Sequence, residues 1–109
     1  MAFDERLAQR IRDQLGGTDA VAERKMFGGL SFMVGGNLCV GVMGDELIAR
    51  VGPDATEAAL GRPGSRLFDF GGRPMRGWVA VDPGALQADD ALAAWVDDAL
   101  RFVRSLPPK

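Results

Sequence analysis

The chain has 109 residues, 13 basic and 15 acidic side chains, one cysteine and no histidine. A chain of this length makes one domain, spanning 1–109, and buries roughly two-thirds of its unfolded surface, enough to fold without cross-links. The composition excludes an internal disulfide, zinc sites of the Cys/His type, histidine-dependent triads and Cys–His dyads, and a net charge of −2 argues against the broad electropositive surface of an autonomous DNA binder.

In chain order, Phe3, Leu7, Ile11 and Leu15 recur at four-residue spacing and predict a first helix from Asp4 to about Leu15. Asp4 and Glu5 suit its start, and Gly16-Gly17 ends it. Val21 to Met26, Leu30 to Val34, Leu38 to Met43 and Glu46 to Val51 read as strands, with Gly35-Gly36-Asn37 and Gly44-Asp45 as reverse turns. Gly52-Pro53 breaks the pattern, Asp54 is placed to cap a short helix over Ala55 to Leu60, and Arg62-Pro63-Gly64-Ser65 is loop. Leu67 to Phe70 is a strand with Phe68 and Phe70 on one face. Gly71-Gly72-Arg73-Pro74 turns the chain into the strand Met75 to Val81. The last helix starts near Asp89 or Asp90 and ends near Ser105, with Leu92, Trp95, Val96, Ala99, Phe102, Val103 and Leu106 on one broad side. Hairpin-length connections imply antiparallel pairing. The expected fold is therefore α+β, a two-layer domain with an antiparallel sheet of five or six strands. The N- and C-terminal helices pack on one face, in the order α-β-β-β(-β)-α-β-β-α. No apolar run is long enough to span a bilayer, and Met1 to Arg6 lacks the basic-then-apolar signature of a secretory signal, so the expected location is cytoplasmic.

The ordered series Arg24-Lys25-Met26-Phe27-Gly28-Gly29, Phe32-Met33, the Gly-Gly turn, Leu47-Ile48-Ala49-Arg50-Val51, Phe68-Asp69-Phe70, Pro74 through Pro83 and the helix containing Trp95 resembles the N-terminal domain of the TfoX/Sxy family of bacterial competence regulators. The resemblance implies an α+β domain with an antiparallel sheet and regulatory rather than catalytic work. Two departures stand out. Regulators of that family commonly carry a second, C-terminal domain, and none is expected here. The family pattern also often has paired tyrosines where this chain has Gly77-Trp78-Val79-Ala80, and this chain has no tyrosine.

The residues themselves offer little chemistry. No stretch fits the Walker or the dinucleotide glycine spacing, so Gly28-Gly29 and Gly35-Gly36 read as turns or bulges. Ser31 lacks the glycine two residues on that a nucleophile elbow needs, and Cys39 lies in an apolar strand where a free thiol behaves as a small hydrophobe. Asp89-Asp90 and Asp97-Asp98 are adjacent on a helix and do not converge; the first pair suits a cap and the second a solvated side. Asp45-Glu46 reads as turn. No catalytic residue, metal ligand or cofactor site is expected. Between Arg62 and Arg76 four arginines stand against one acid, Asp69, with Phe68, Phe70 and Trp78 among them. Arginines with interleaved aromatics suit single-stranded nucleic acid or a phosphorylated ligand; the competing reading puts the aromatics in the core and the arginines in solvent. Arg24, Lys25, Arg66, Arg73 and Arg76 are the candidate anion or nucleic-acid ligands. The leading expectation is a non-enzymatic module acting through a protein partner or self-association, on an open sheet edge or face. The alternatives are a nucleic-acid-associated transcriptional regulator and, third, a small enzyme acting on a phosphorylated substrate.

Overall fold

The computed structural model describes residues 3–26 and 28–107, with Phe70 by its backbone alone. Phe27 and the side chain of Phe70, both part of the sequence pattern, lie outside the described part. Helix α1 (Glu5–Gln14) begins at Asp4, whose carboxylate accepts from the Arg6 and Leu7 amides at 2.9 and 3.3 Å, satisfying two donors that a helix leaves open. Four strands come next: β1 (Val21–Met26), β2 (Gly29–Val34), β3 (Asn37–Met43) and β4 (Glu46–Arg50). A 3₁₀ turn at Pro53–Ala55 leads into α2 (Thr56–Leu60), then β5 (Ser65–Phe70), β6 (Arg73–Val81), a second 3₁₀ turn at Pro83–Leu86 and α3 (Asp89–Arg104).

The strands form a six-stranded sheet in the order β1-β2-β3-β4-β6-β5, every pairing antiparallel. The expected α+β order and antiparallel sheet are thus present. Two of the hairpins arise from glycine pairs. Gly35-Gly36 and Gly71-Gly72 hold positive φ at both central positions, the geometry whose twist matches that of the flanking strands.

Helices α1 and α3 bury one face of the sheet. Leu7, Ile11 and Leu15 from α1, and Leu92, Trp95, Val96, Ala99 and Val103 from α3, join Phe32, Val40, Val42, Leu47, Val79 and Val81 in one cluster. The four-residue and three-to-four-residue apolar spacings are the cause: they put one stripe of each helix against the sheet. Leu100 is also buried, a core position not expected from the sequence.

Two expected caps are corrected. Asp54 caps nothing: it lies inside the 3₁₀ turn, and Ala55 precedes α2 with no side-chain cap. There Thr56 does the polar work, its buried hydroxyl donating to the Gly52 carbonyl at 2.8 Å. Asp89 and Asp90 occupy the first turn of α3 behind Ala88 and make no cap bond. Asp89 instead accepts from Arg10 Nη2 at 3.1 Å, while the same nitrogen donates to the Leu86 carbonyl at 2.7 Å. That pairing fastens α1 to the entry of α3.

Candidate functional site

Among the described residues, no helix lies on the second face of the sheet. Pairing across all six strands lines up one row on it: Arg24 opposite Ser31, Ser31 opposite Gly41, Gly41 opposite Ile48, Ile48 opposite Ala80, and Ala80 opposite Arg66. Its four middle residues are buried, although no helix covers them. Longer side chains from the neighbouring rows shield them. Ile48, Phe68 and Ala80 form a second, smaller apolar cluster, with Met43, Met75 and Trp78 half-buried against it. Met26, Ser31, Leu38, Gly41 and Trp78 share a small slot with members of that cluster.

Two irregularities in the ladder build this face. Between Phe32 and Met33 the β2–β3 register shifts, so that Cys39 and Val40, adjacent in sequence, both join the helix-side core. Leu38 thereby comes to stand opposite Met33, on the open side. Between Leu67 and Asp69 the β5–β6 register shifts again, and Phe68 lies opposite a stretch of β6 that holds both Met75 and Trp78. A bulge adds a residue to one strand, bends it and re-aims the side chains beyond it.

The five candidate cations do not converge. Neighbouring strand residues point to opposite faces. Arg24 stands opposite Ser31 on the open face, and Lys25 stands opposite Leu30 on the helix face. Arg66 shares the open face with Arg24, but five strand spacings separate them, about 24 Å at the usual 4.8 Å interval. Arg66 is also committed. Its two terminal nitrogens donate to the Glu46 carboxylate at 2.5 and 2.6 Å, and Nη1 reaches Asp82 at 3.2 Å. These bonds hold the Glu46 carboxyl below the ordinary carboxylate range, with the Arg66 hydrogen bond as the main cause. Glu46, a turn residue by its sequence, is therefore half of a two-pronged ion pair. Arg73 sits at the β5–β6 hairpin and Arg76 within β6; both are exposed, as are Arg24 and Lys25. Arg62, the first of the four clustered arginines, is turned inward: its guanidinium carbon lies 3.5 Å from the Trp95 ring centre, and Nη1 pairs with Asp98 at 2.5 Å. Asp98 also binds Arg101, so the second aspartate pair is only half solvated.

One cation was missed in the sequence. Arg50 lies opposite Trp78, with its guanidinium carbon 5.1 Å from that ring and 5.4 Å from Phe102. Its one hydrogen bond among the described residues goes to the Leu38 carbonyl at 3.4 Å. Strand alternation alone could have put Arg50 on the face of Ile48, but its pairing with Trp78 required the β4–β6 register, which joins strands distant in sequence.

The remaining described residues bring no nucleophile and base together. Cys39 is fully buried, and burial pushes its thiol up to about 12. Among the described residues no three His, Cys, Asp or Glu side chains gather as a metal site, and no helix is long and apolar enough to cross a membrane. A cleft of about 330 Å³ lies between the α1–β1 connection, the β2–β3 turn and the end of α3. Its buried Asn37 amide already donates to the Pro107 carbonyl at 3.0 Å.

No curated protein and no solved structure matches the chain. The family model described as the TfoX N-terminal domain matches residues 13–103, from the end of α1 to the end of α3, and so takes in the whole sheet and both of its irregularities. The chain belongs to the TfoX N-terminal domain family.

Proposed function

We propose that the protein is a non-enzymatic regulatory module of the TfoX kind, cytoplasmic, working through contacts with another protein in the control of transcription. The observation that carries this reading is the open face of the sheet. It holds half-buried Met43, Met75 and Trp78 over a buried apolar floor, where the opposite face is closed by two helices. Apolar surface left without a covering layer is characteristic of contact surfaces. Family membership supports regulation, and competence is the regulated process the family resemblance suggests.

The test is affinity capture of the tagged full chain from its native host, followed by nuclease and high-salt washes. A protein retained in fixed proportion, and rebinding when purified, supports the module. Retention that disappears with nuclease, or binding to DNA or RNA whose affinity falls steeply with salt, favours the nucleic-acid regulator instead. The exposed Arg24, Lys25, Arg73 and Arg76 are the residues that second reading would use. Arg66 supports it least, because two carboxylates already hold it. A small enzyme acting on a phosphorylated substrate is the third reading, and the scattered cations give it no convergent anion site.

A further inference from the structure

We propose, resting on the protein-contact reading above, that the open sheet face is the docking surface and that its occupant is an amphipathic segment of a partner protein, apolar on one side and acidic on the flank that meets Arg24. Three observations lead there.

The first is shape. The row from Arg24 to Arg66 has a floor of Ser31, Gly41, Ile48 and Ala80, three of them small. Met26 and Met43 stand in the rows to one side, Leu38 and Trp78 in those to the other. The result is a trough crossing the sheet, about 24 Å long at a 4.8 Å strand interval. A helix of about 16 residues has that length.

The second is side-chain type. Met26, Met33, Met43 and Met75 are all half-buried, and pairing or packing puts all four on this face. Methionine is unbranched and polarisable, and surfaces rich in it repack around apolar anchors.

The third is charge. The carboxylates beside the trough, Glu46 and Asp82, are both engaged by Arg66. Arg24 at the far end is exposed and has no ion pair among the described residues. Arg50 at the side meets ring faces and a carbonyl rather than a carboxylate. Arg50 is half-buried between the Trp78 ring and Phe102 of α3, so the open charge on this row is that of Arg24, and an acidic flank at that end complements it. A second copy of the chain would bring the same arginine to the junction, which disfavours self-pairing there.

The test uses the full chain labelled with ¹³C at its methionine methyls. The probes are two synthetic 16-residue amphipathic peptides with the same Leu/Phe side, one carrying Glu on its polar side and the other Lys. The Glu peptide is expected to shift the methyls of Met26, Met33, Met43 and Met75, with affinity that weakens as salt rises. Arg24→Glu, at an exposed edge position where folding is undisturbed, should weaken the Glu peptide about fivefold and strengthen the Lys peptide. Met43→Glu should weaken the Glu peptide more strongly. Equal binding of the two peptides overturns the proposal, as do methyls that neither peptide moves. Methyl shifts produced by concentrating the protein alone assign the face to a second copy, and shifts produced by a single-stranded oligonucleotide assign it to nucleic acid; either overturns it. A captured partner that binds while these methyls stay still removes this surface but leaves the binding-module reading standing. Failure to capture any protein removes that reading itself.

Discussion

Gly52→Ala should be among the costliest single-methyl changes in the chain. Gly52 joins β4 to the 3₁₀ turn at φ 91° and ψ 156°, a region that is essentially glycine's own and costs other residues about 1–3 kcal/mol. Its amide and that of Val51 both donate to the Gly77 carbonyl, at 3.0 and 2.9 Å, and its own carbonyl accepts from the Thr56 hydroxyl, so the backbone is held on both sides. A Cβ there would lie 2.6 and 2.9 Å from two carbons of the Phe102 ring and closer still to a third, and forcing an extra methyl into packed surroundings costs about 1–3 kcal/mol more. The sum, about 4 kcal/mol, is a large part of the 5–15 kcal/mol that usually holds a domain together. With an unfolding entropy near 2.1 cal/mol/K per residue, the melting temperature should fall by roughly 17 °C. Calorimetry or urea unfolding measures the loss, and Phe102→Ala separates its two parts. In that background the ring is gone and only the conformational part, about 2 kcal/mol, should remain. A loss under about 1 kcal/mol in the wild-type background, or an identical loss with and without the Phe102 ring, would refute the assignment of the cost to those two causes.

Cys39 should resist thiol reagents at pH 8 until the protein unfolds, because burial holds it neutral up to about 12. The folded value lies above the ordinary 9.0, so this group's contribution to stability is complete below pH 9 and is lost as pH climbs toward 12; an unfolding series across that range checks the slope. Thr56→Val keeps the shape but removes the buried bond to the Gly52 carbonyl, and urea unfolding should show a loss of about 1–2 kcal/mol. Glu46 runs the other way from Cys39: its folded value is depressed below 4.5, so its contribution is present above that pH and is lost as pH falls through the folded value. Arg66→Ala should return the Glu46 carboxyl toward its ordinary value in an NMR titration and flatten the acid limb of the stability curve, with an effect at neutral pH within about 1 kcal/mol because the pair is solvent-screened.

The elements were legible because they obey local rules. The spacing of Leu7, Ile11 and Leu15 and the glycine pairs of the hairpins act within a few residues, and each predicted helix and strand is present to within a few residues. The candidate site was not legible to the same degree. Arg62, Arg66, Arg73 and Arg76 looked like a cluster because they are near in sequence, yet Arg62 stacks on Trp95, and Arg66 directs its charge to Glu46, 20 residues earlier, and to Asp82. Arg24 and Lys25 looked like a pair, yet adjacent strand positions face opposite ways. Those outcomes depend on which strands become neighbours, and the β4–β6 pairing joins segments separated by α2 and β5.

The register shift at Cys39 shows why alternation could not find the open face. Were β3 regular, Leu38 would share the side of Val40 and Val42 and sit under the helices, and Cys39 would face outward. With the shift, Cys39 and Val40 both enter the core, and Leu38 turns to the open side opposite Met33. A one-residue change of register exchanges the two faces of a strand, so this irregularity determines the composition of both layers together. It places a titratable thiol where nothing can reach it and adds an apolar wall to the trough. The β5–β6 shift has the corresponding effect at the other side of the sheet, where Phe68 meets Met75 and Trp78. An uncovered apolar face built by two separate departures from regular pairing is a costly arrangement for a sheet that needed only to carry two helices. The docking surface proposed above would supply a reason for it.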